Sequence, residues 1–381
     1  MKRVDVSNST LTRVIVSGGG TGGHIFPAIS IANEIQRRYP DCNILFVGAN
    51  GRMEVEKVPA AGFEIITLPV KGLKRKKLWK NIPIAYRLVK SLFIVRKLLK
   101  QFRPEVVIGV GGYASAPTLM VAQWMGIPTV VQEQNSYAGV TNKLVGKKAD
   151  AICVAYKGME RFFPRERIHL TGNPVRRDIL NIRHGDQDAY GYFGLNPNLK
   201  TIVVVGGSLG ARTINESVAE ALPRMAHAKG VQIVWQTGKS YLHRAQELLT
   251  HTDHTLPVVA MDFIHHMDRA FAVADLMISR AGAGSISEFA MLGLPVILVP
   301  SPNVAEDHQT KNAQSLVDEG AAVMVRDADA VEQLMDLALE LVNDEERLKA
   351  LSESIQTLAL PQSAEKIVDI VENIVKDKQA K

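Results

Sequence analysis

The chain has only two cysteines in 381 residues, and aromatic side chains make up just 6% of it. Cys42 and Cys153 each sit in or beside an apolar run that reads as a buried strand. That excludes a disulfide framework and predicts a reducing compartment. A continuous membrane-length helix is missing too. The longest uncharged stretch, Val106 to Gln132, is broken by Gly109, Gly111, Gly112, Pro117, Gly126 and Pro128. It therefore reads as strand, glycine loop, short helix and strand. The polar run from Met1 to Thr12 has no apolar core of a signal peptide, so no export is predicted. Short tandem repeats and low-complexity tracts are also lacking, which removes solenoid architectures.

Acidic residues are absent from Ile65 to Pro104, whereas Lys71 to Arg103 holds twelve Lys and Arg. The whole chain is at +6, and without that segment 33 basic side chains face 39 acidic ones. A basic patch on an otherwise acidic protein predicts a localised anionic partner. Within it Leu88, Leu92, Val95, Leu99 and Phe102 recur at intervals of four and three, the stripe of a core-facing helix. Arg87, Lys90, Lys97 and Lys100 fall on the other side, with Phe93 and Ile94 among or beside them, and Lys74 to Lys80 adds Trp79 to a charge cluster. Apolar residues inside a cationic face suit the headgroups of an anionic bilayer. A solvated helix face is the plainer reading of the same pattern. Nucleic acid is not expected, because no RNA- or DNA-binding module surrounds the patch.

What is present is an ordinary globular composition, 46% hydrophobic and 22% charged, long enough for two cores. Short apolar runs alternate with helical patterns, as in βα units around parallel sheets. Strands are predicted at Val14–Ser17, Ile44–Val47, Glu64–Leu68, Val106–Gly109, Thr129–Gln132 and Ala151–Val154. A second series follows at Thr201–Val205, Val231–Gln236, Val258–Ala260, Leu276–Ser279, Val296–Val299 and Ala322–Val325. Both series open with an apolar strand, a glycine loop and a helical pattern. The fold class is thus α/β, with two Rossmann-like domains in tandem. The expected domains are 1–174 and 175–357, with a hinge near Thr171-Gly172-Asn173-Pro174. A final amphipathic helix within 358–381, carrying Ile367, Ile370, Val371 and Ile374, is expected to dock back on the first domain.

The first glycine loop, Gly18 to His24, precedes a helix expected to begin near Pro27. Its glycines admit a ligand to the backbone, and the helix N-terminus offers N–H groups to an anion. Classical dinucleotide binding is disfavoured, because Val47-Gly48-Ala49-Asn50 supplies no acid for a ribose. His24 can take a proton from a sugar hydroxyl, or it can cap the helix or orient substrate. In the second loop, Gly206-Gly207-Ser208-Leu209-Gly210-Ala211, Ser208 can donate to a phosphate oxygen, though a bare βα turn has the same pattern. In Ser279-Arg280-Ala281-Gly282-Ala283-Gly284-Ser285-Ile286-Ser287-Glu288 the small residues leave room for a ligand. The Glu288 carboxylate can accept from a ribose diol or complete a capping box with Ser285. The stretches Gln132-Glu133-Gln134-Asn135 and Asp307 to Ala313 bring carboxamides, which read sugar hydroxyls as donor and acceptor.

Together these segments resemble the MurG family of N-acetylglucosaminyltransferases. The resemblance runs in order through Gly19 to His24, Gly111-Gly112-Tyr113-Ala114-Ser115-Ala116-Pro117, Glu133-Gln134-Asn135, Gly172-Asn173-Pro174-Val175-Arg176, Gly206 to Ala211, Ser279 to Glu288, and Gln309 with Asn312-Ala313. It implies a GT-B fold, with two Rossmann-like domains facing across a cleft. The implied reaction is an inverting transfer of GlcNAc from UDP-GlcNAc to the lipid-linked acceptor lipid I, without metal or cofactor. The implied place is the cytoplasmic face of the bacterial inner membrane, as a peripheral protein in contact with other cell-wall synthesis proteins. Carried over by position, Thr21, Gly22, Gly23, Asn135, Arg176, Ser208, Ile264, Ala283, Gly284, Ser285, Ile286, Ser287, Glu288 and Gln309 contact the donor, and Tyr113 contacts substrate. His24 and Glu133 are the catalytic candidates. Two positions depart from the family pattern. Gln132 stands where many relatives have His, which shifts the role of base towards His24, and His308 stands where Gln is common. A lipid galactosyltransferase, a UDP-GlcNAc 2-epimerase and a silent sugar-nucleotide-binding scaffold share much of this pattern.

Overall fold

A computed structural model describes residues 11–70, 82–175, 179, 182–207, 209–225, 230–251 and 257–380. The chain divides into two compact units, Met1–Val175 with Leu360–Lys381, and Arg176–Ala359. Arg176, Ser208 and the 71–81 part of the basic segment lie outside the described residues.

The first unit is built on seven parallel strands: β1 (Arg13–Gly18), β2 (Asn43–Ala49), β3 (Glu64–Leu68), β4 (Val106–Gly111), β5 (Thr129–Glu133), β6 (Ala151–Val154) and β7 (Ile168–Leu170). Their order is β3-β2-β1-β4-β5-β6-β7, so the winding reverses between β1 and β4. Ligands of doubly wound sheets bind at the carboxyl ends of strands at such a reversal. The β1/β4 register slips there, between Ser17 and Gly18, which pairs Gly18 with Gly111. The helices are α1 (Gly22–Arg38), α2 (Glu54–Ala60), α3 (Ile82–Phe102), α4 (Ser115–Trp124) and α5 (Val140–Gly146).

Hydrophobic layers cover both faces of this sheet. On one, Ile25, Ile31 and Ile35 of α1 meet Ile367, Val368, Val371 and Val375 from the helix at Ser363–Gln379. On the other, Val95 and Leu99 of α3 join Leu119, Ala122 and Val145. The 363–379 helix is also tied to α1 by charge. The Arg38 guanidinium donates to Glu34 at 2.8 Å, to Glu372 at 3.0 Å, to Asp369, and to the Glu365 carbonyl. Glu34 is only 1% exposed. Burial alone would lower the Arg38 pKa, and the bonds to Asp369, Glu34 and Glu372 raise it overall.

The second unit has six parallel strands: β8 (Lys200–Val205), β9 (Val231–Gln236), β10 (Val258–Met261), β11 (Leu276–Ser279), β12 (Val296–Leu298) and β13 (Val323–Met324). Their order, β10-β9-β8-β11-β12-β13, places its reversal between β8 and β11. The helices are α6 (Gln187–Phe193), α7 (Arg212–Met225), α8 (Leu242–His251), α9 (Met267–Val273), α10 (Ala283–Leu292), α11 (His308–Val317), α12 (Ala330–Val342) and α13 (Glu345–Thr357), with the 363–379 helix as α14. Trp235 is fully buried in this core and donates its indole N–H to Asn215 Oδ1 at 3.0 Å. Among the described residues no helix is long and apolar enough to cross a membrane.

Four local expectations are corrected. Helix α1 begins at Gly22, so Pro27 lies inside it. Only its missing N–H and its ring against the preceding turn mark the position, and the adjacent glycines hide the true start. On α3 the buried line is Ser91, Val95 and Leu99, one residue every turn, and Leu88 is 39% exposed. On α14, Val368 and Val375 take the core places and Ile370 and Ile374 sit at the rim. Strand β7, an edge strand of three residues, was not predicted.

Candidate active site

In the first unit the two glycine loops at the β1/β4 reversal press on each other. A Cβ on Gly112, whose φ is +89°, would lie 2.3 Å from the Gly19 carbonyl oxygen. A Cβ on Gly111, at φ +98°, would lie 2.7 and 2.9 Å from His24 Cδ2 and Nε2. Glycine is therefore required at both places, for conformation and for space. His24 sits in the first turn of α1, half-buried, with Nδ1 3.1 Å from Thr21 Oγ1. Thr21 is the N-cap of that helix, and Gly22 and Gly23 are its first two residues. Tyr113, 48% exposed, stands between β4 and α4.

The strand β5 end delivers Glu133, which is 1% exposed. Its Oε1 accepts from the backbone and side-chain N–H of Asn135, each at 3.1 Å. Its Oε2 accepts from Gly139 N and Asn142 Nδ2, each at 2.9 Å. Four donors use the carboxylate's acceptor sites, so it orients Asn135 and Asn142. Gln132 faces inward, donating to Asn173 Oδ1 at 3.0 Å and accepting from Gln134, while Asn173 donates to the Gln134 carbonyl at 3.1 Å. The Gly-Asn-Pro motif thus serves as a clamp on the β5 loop.

Glu54 was not singled out by sequence. It is fully buried, its Oε2 accepting from Gly20 N at 2.8 Å and its Oε1 from Ala49 N at 2.9 Å. The acid missing from the end of β2 is supplied at the start of α2, and it is aimed at the protein's own glycine loop. The one signal in the sequence was an acid a few residues past Gly48.

In the second unit the loop after β8 touches the loop after β9. A Cβ on Gly210 would lie 2.1 Å from the Thr237 carbonyl oxygen, and one on Gly238 2.3 Å from that of Leu209. Gln236 bridges outward, donating to the Gly207 carbonyl and accepting from the Ile264 N–H, both at 2.9 Å. Ile264 is 1% exposed, and with its N–H so engaged its carbonyl is the backbone group it can offer.

Helix α10 starts at Ala283 with Gly282 as N-cap, so Ser285 does not hold the cap position of a capping box. Glu288 falls in the second turn and is half-buried, which removes the capping alternative. The Ser287 hydroxyl donates to the Ala283 carbonyl at 3.0 Å. Arg280 fixes the base of the loop through the carbonyls of Val299 and Pro300 at 3.1 and 3.2 Å and through Asp327, which also accepts from Thr213 at 3.0 Å. Gln309 lies in the first turn of α11, its Oε1 accepting from Ser301 N at 2.8 Å, so its NH₂ is the end left to donate. Just before it, Glu306 and Asp307 adopt φ of +58° and +50°, backbone strain of the kind that collects at ligand sites.

Thr21, Gly22, Gly23, His24, Tyr113, Glu133 and Asn135 thus stand at or just beyond strand ends of the first sheet, and Ile264, Ala283–Glu288 and Gln309 follow strand ends of the second. Among the described residues no group of three His, Cys, Asp or Glu side chains is placed to hold a metal ion.

Two parallel-sheet Rossmann-like units, each with a glycine loop at its reversal, are the architecture of the GT-B class of glycosyltransferases. The family models for the glycosyltransferase family 28 N-terminal and C-terminal domains match residues 14–154 and 201–372. The chain belongs to glycosyltransferase family 28, in its MurG branch. It is 56% identical to the UDP-N-acetylglucosamine–N-acetylmuramyl-(pentapeptide) pyrophosphoryl-undecaprenol N-acetylglucosamine transferase of Parabacteroides distasonis, over 96% of this chain and 99% of that one. It is also 56% identical to the transferase of the same name from Bacteroides fragilis, over 96% and 95%. Among solved structures, MurG of Acinetobacter baumannii matches with a TM-score of 0.76 and 27% identity, over 95% of this chain and 99% of that one.

Proposed function

We propose how the two units divide one reaction. The chain transfers N-acetylglucosamine from UDP-GlcNAc to the MurNAc 4-hydroxyl of undecaprenyl-pyrophosphoryl-MurNAc-pentapeptide, turning lipid I into lipid II. The observation that carries this is 56% identity along 96% of the chain to a transferase named for those substrates. The galactosyltransferase, epimerase and scaffold readings are set aside by the same length of match.

In this reading the second unit holds the donor. The Ile264 carbonyl accepts from the uracil N3–H, Glu288 accepts from the ribose diol, and Gln309 donates to a GlcNAc hydroxyl. Arg176 and Ser208 offset the charge that grows on the departing diphosphate, together with backbone N–H groups at the glycine loop and the α10 N-terminus. Thr21, Gly22, Gly23 and Asn135 complete the donor's surroundings from the first unit, and Tyr113 contacts the acceptor.

The acceptor hydroxyl attacks the anomeric carbon as the bond to UDP breaks, inverting the configuration. Its proton goes to His24. The contact of Nδ1 with Thr21 Oγ1, at 3.1 Å, sets the orientation of the imidazole for this transfer. Glu133 acts behind this step by fixing Asn135. The test is donor competition among UDP-GlcNAc, UDP-Gal and UDP-Glc with a lipid I analogue. Transfer from all three at equal rates, or UDP release without acceptor, would overturn the reading.

The first unit is also where the anionic membrane surface docks. On α3, Tyr86, Val89 and Phe93 are 70%, 50% and 68% exposed at helical spacing, beside exposed Lys90, Arg96, Lys97 and Lys100. Trp124, 60% exposed, ends α4, which packs against α3. Such a face seats rings among headgroups while the cations meet anionic lipid, each contributing about 1 kcal/mol. In this reading the enzyme works as a peripheral protein at the cytoplasmic face of the inner membrane. Co-sedimentation with anionic liposomes but not neutral ones is expected, and equal association with both would defeat it.

A further inference from the structure

We infer that Glu54 is a positioning residue for the transfer step: its buried carboxylate is an internal anion that occupies the first glycine loop and sets the place of His24. In a nucleotide-binding Rossmann unit the loop after the first strand gives its N–H groups to a phosphate. Here Gly20 N–H donates to Glu54 Oε2 at 2.8 Å, and the other oxygen holds Ala49 N–H at the end of β2 at 2.9 Å. The neighbouring residues make room for it. A Cβ on Gly19 would lie 2.3 Å from the carboxylate, and one on Gly48 2.6 Å from Glu54 Cγ.

The loop is thus pinned from two sides, by Glu54 on one and by the Gly112 backbone against Gly19 on the other. One residue beyond the pinned Gly20 N–H comes Thr21, the N-cap that contacts His24. A carboxylate can accept both backbone donors at once, whereas an amide keeps one acceptor oxygen and turns a donor towards the other N–H. The Glu54→Gln variant therefore releases either Gly20 or Ala49 and lets the His24 segment drift, at little change in volume. The inference rests on His24 being the base.

The test uses the full chain with UDP-GlcNAc and a lipid I analogue. Glu54→Gln is expected to lower kcat by about tenfold or more, as misplacement of a reacting group does, with the KM for UDP-GlcNAc within about twofold. In a His24→Ala background the same change should cost no further kcat, since the group it positions is gone. Because a cavity at this site can weaken folding, Glu54→Ala is assayed with added formate, which should restore kcat several-fold where formamide does not. An unchanged kcat in Glu54→Gln overturns the inference, as does a loss that multiplies with His24→Ala. If His24→Ala alone keeps full kcat, the base assignment fails, and the inference about Glu54 fails with it. A low kcat in Glu54→Gln with an inert His24 would identify that case.

Discussion

Replacing Gly111 by alanine tests the placement of His24 without touching the imidazole. The new methyl would lie 2.7 Å from His24 Cδ2 and 2.9 Å from Nε2, where carbon atoms need about 3.5 Å. The ring must therefore move by roughly 0.8 Å, and misplacement of that order costs about a hundredfold in rate. The backbone adds its own penalty, because alanine at φ +98° costs about 1–2 kcal/mol. For a unit of this size that lowers Tm by about 2–8 °C. The expected outcome is a folded protein with kcat down about a hundredfold and the affinity for UDP-GlcNAc held, measured by UDP release, calorimetric titration and thermal scanning. Wild-type kcat in the folded variant would refute the placement. So would a full further loss in a His24→Ala background, where the methyl has no imidazole to displace.

Gly210→Ala, with a methyl 2.1 Å from the Thr237 carbonyl at φ +77°, should abolish measurable UDP-GlcNAc binding while leaving liposome association intact, and retained titration heat would count against the donor assignment. Arg38→Ala should lower stability by about 3 kcal/mol, the low end for breaking a buried ion pair because Arg37 still reaches Glu34. An unmoved denaturation midpoint would refute the role given to that guanidinium. Burial pushes the Cys153 thiol up from its ordinary 9.0 to about 12, so the folded chain keeps a proton that the unfolded chain loses. Its contribution is complete below pH 9.0 and is lost as pH rises towards about 12, at about 1.4 kcal/mol per unit in that window. Cys153→Ala should flatten that alkaline slope in urea midpoints, and an identical slope would show that other groups carry it.

The strands were legible because each central one is a continuous apolar run closed by glycine, proline or a polar turn, the pattern of a strand buried on both faces. Ile168-His169-Leu170 gave no such run, since β7 lies at an edge and buries little of itself. Motifs made of consecutive residues, such as Gly18 to His24 and Ser279 to Glu288, announced their loops. What they could not announce was contact across the chain. Glu133 reads as a candidate acid or base until its four donors are seen, and Glu54 reads as one more helical surface acid although it is fully buried. Leu88 followed the helical period faithfully and is still exposed, because periodicity says which face a residue shares and not how much of that face is covered.

The second unit is an insertion in the first, because residues 360–381 return to unit 1 after 176–359 have been made. On the ribosome, the inserted body has all its strands available while its host still lacks a wall. Until α14 arrives, the apolar side of α1 around Ile31 and Ile35 is open to water, a surface for chaperones to hold and proteases to find. Stop codons ahead of residue 360 should therefore yield fragments whose first half is the vulnerable part, even though the missing residues come from the other end.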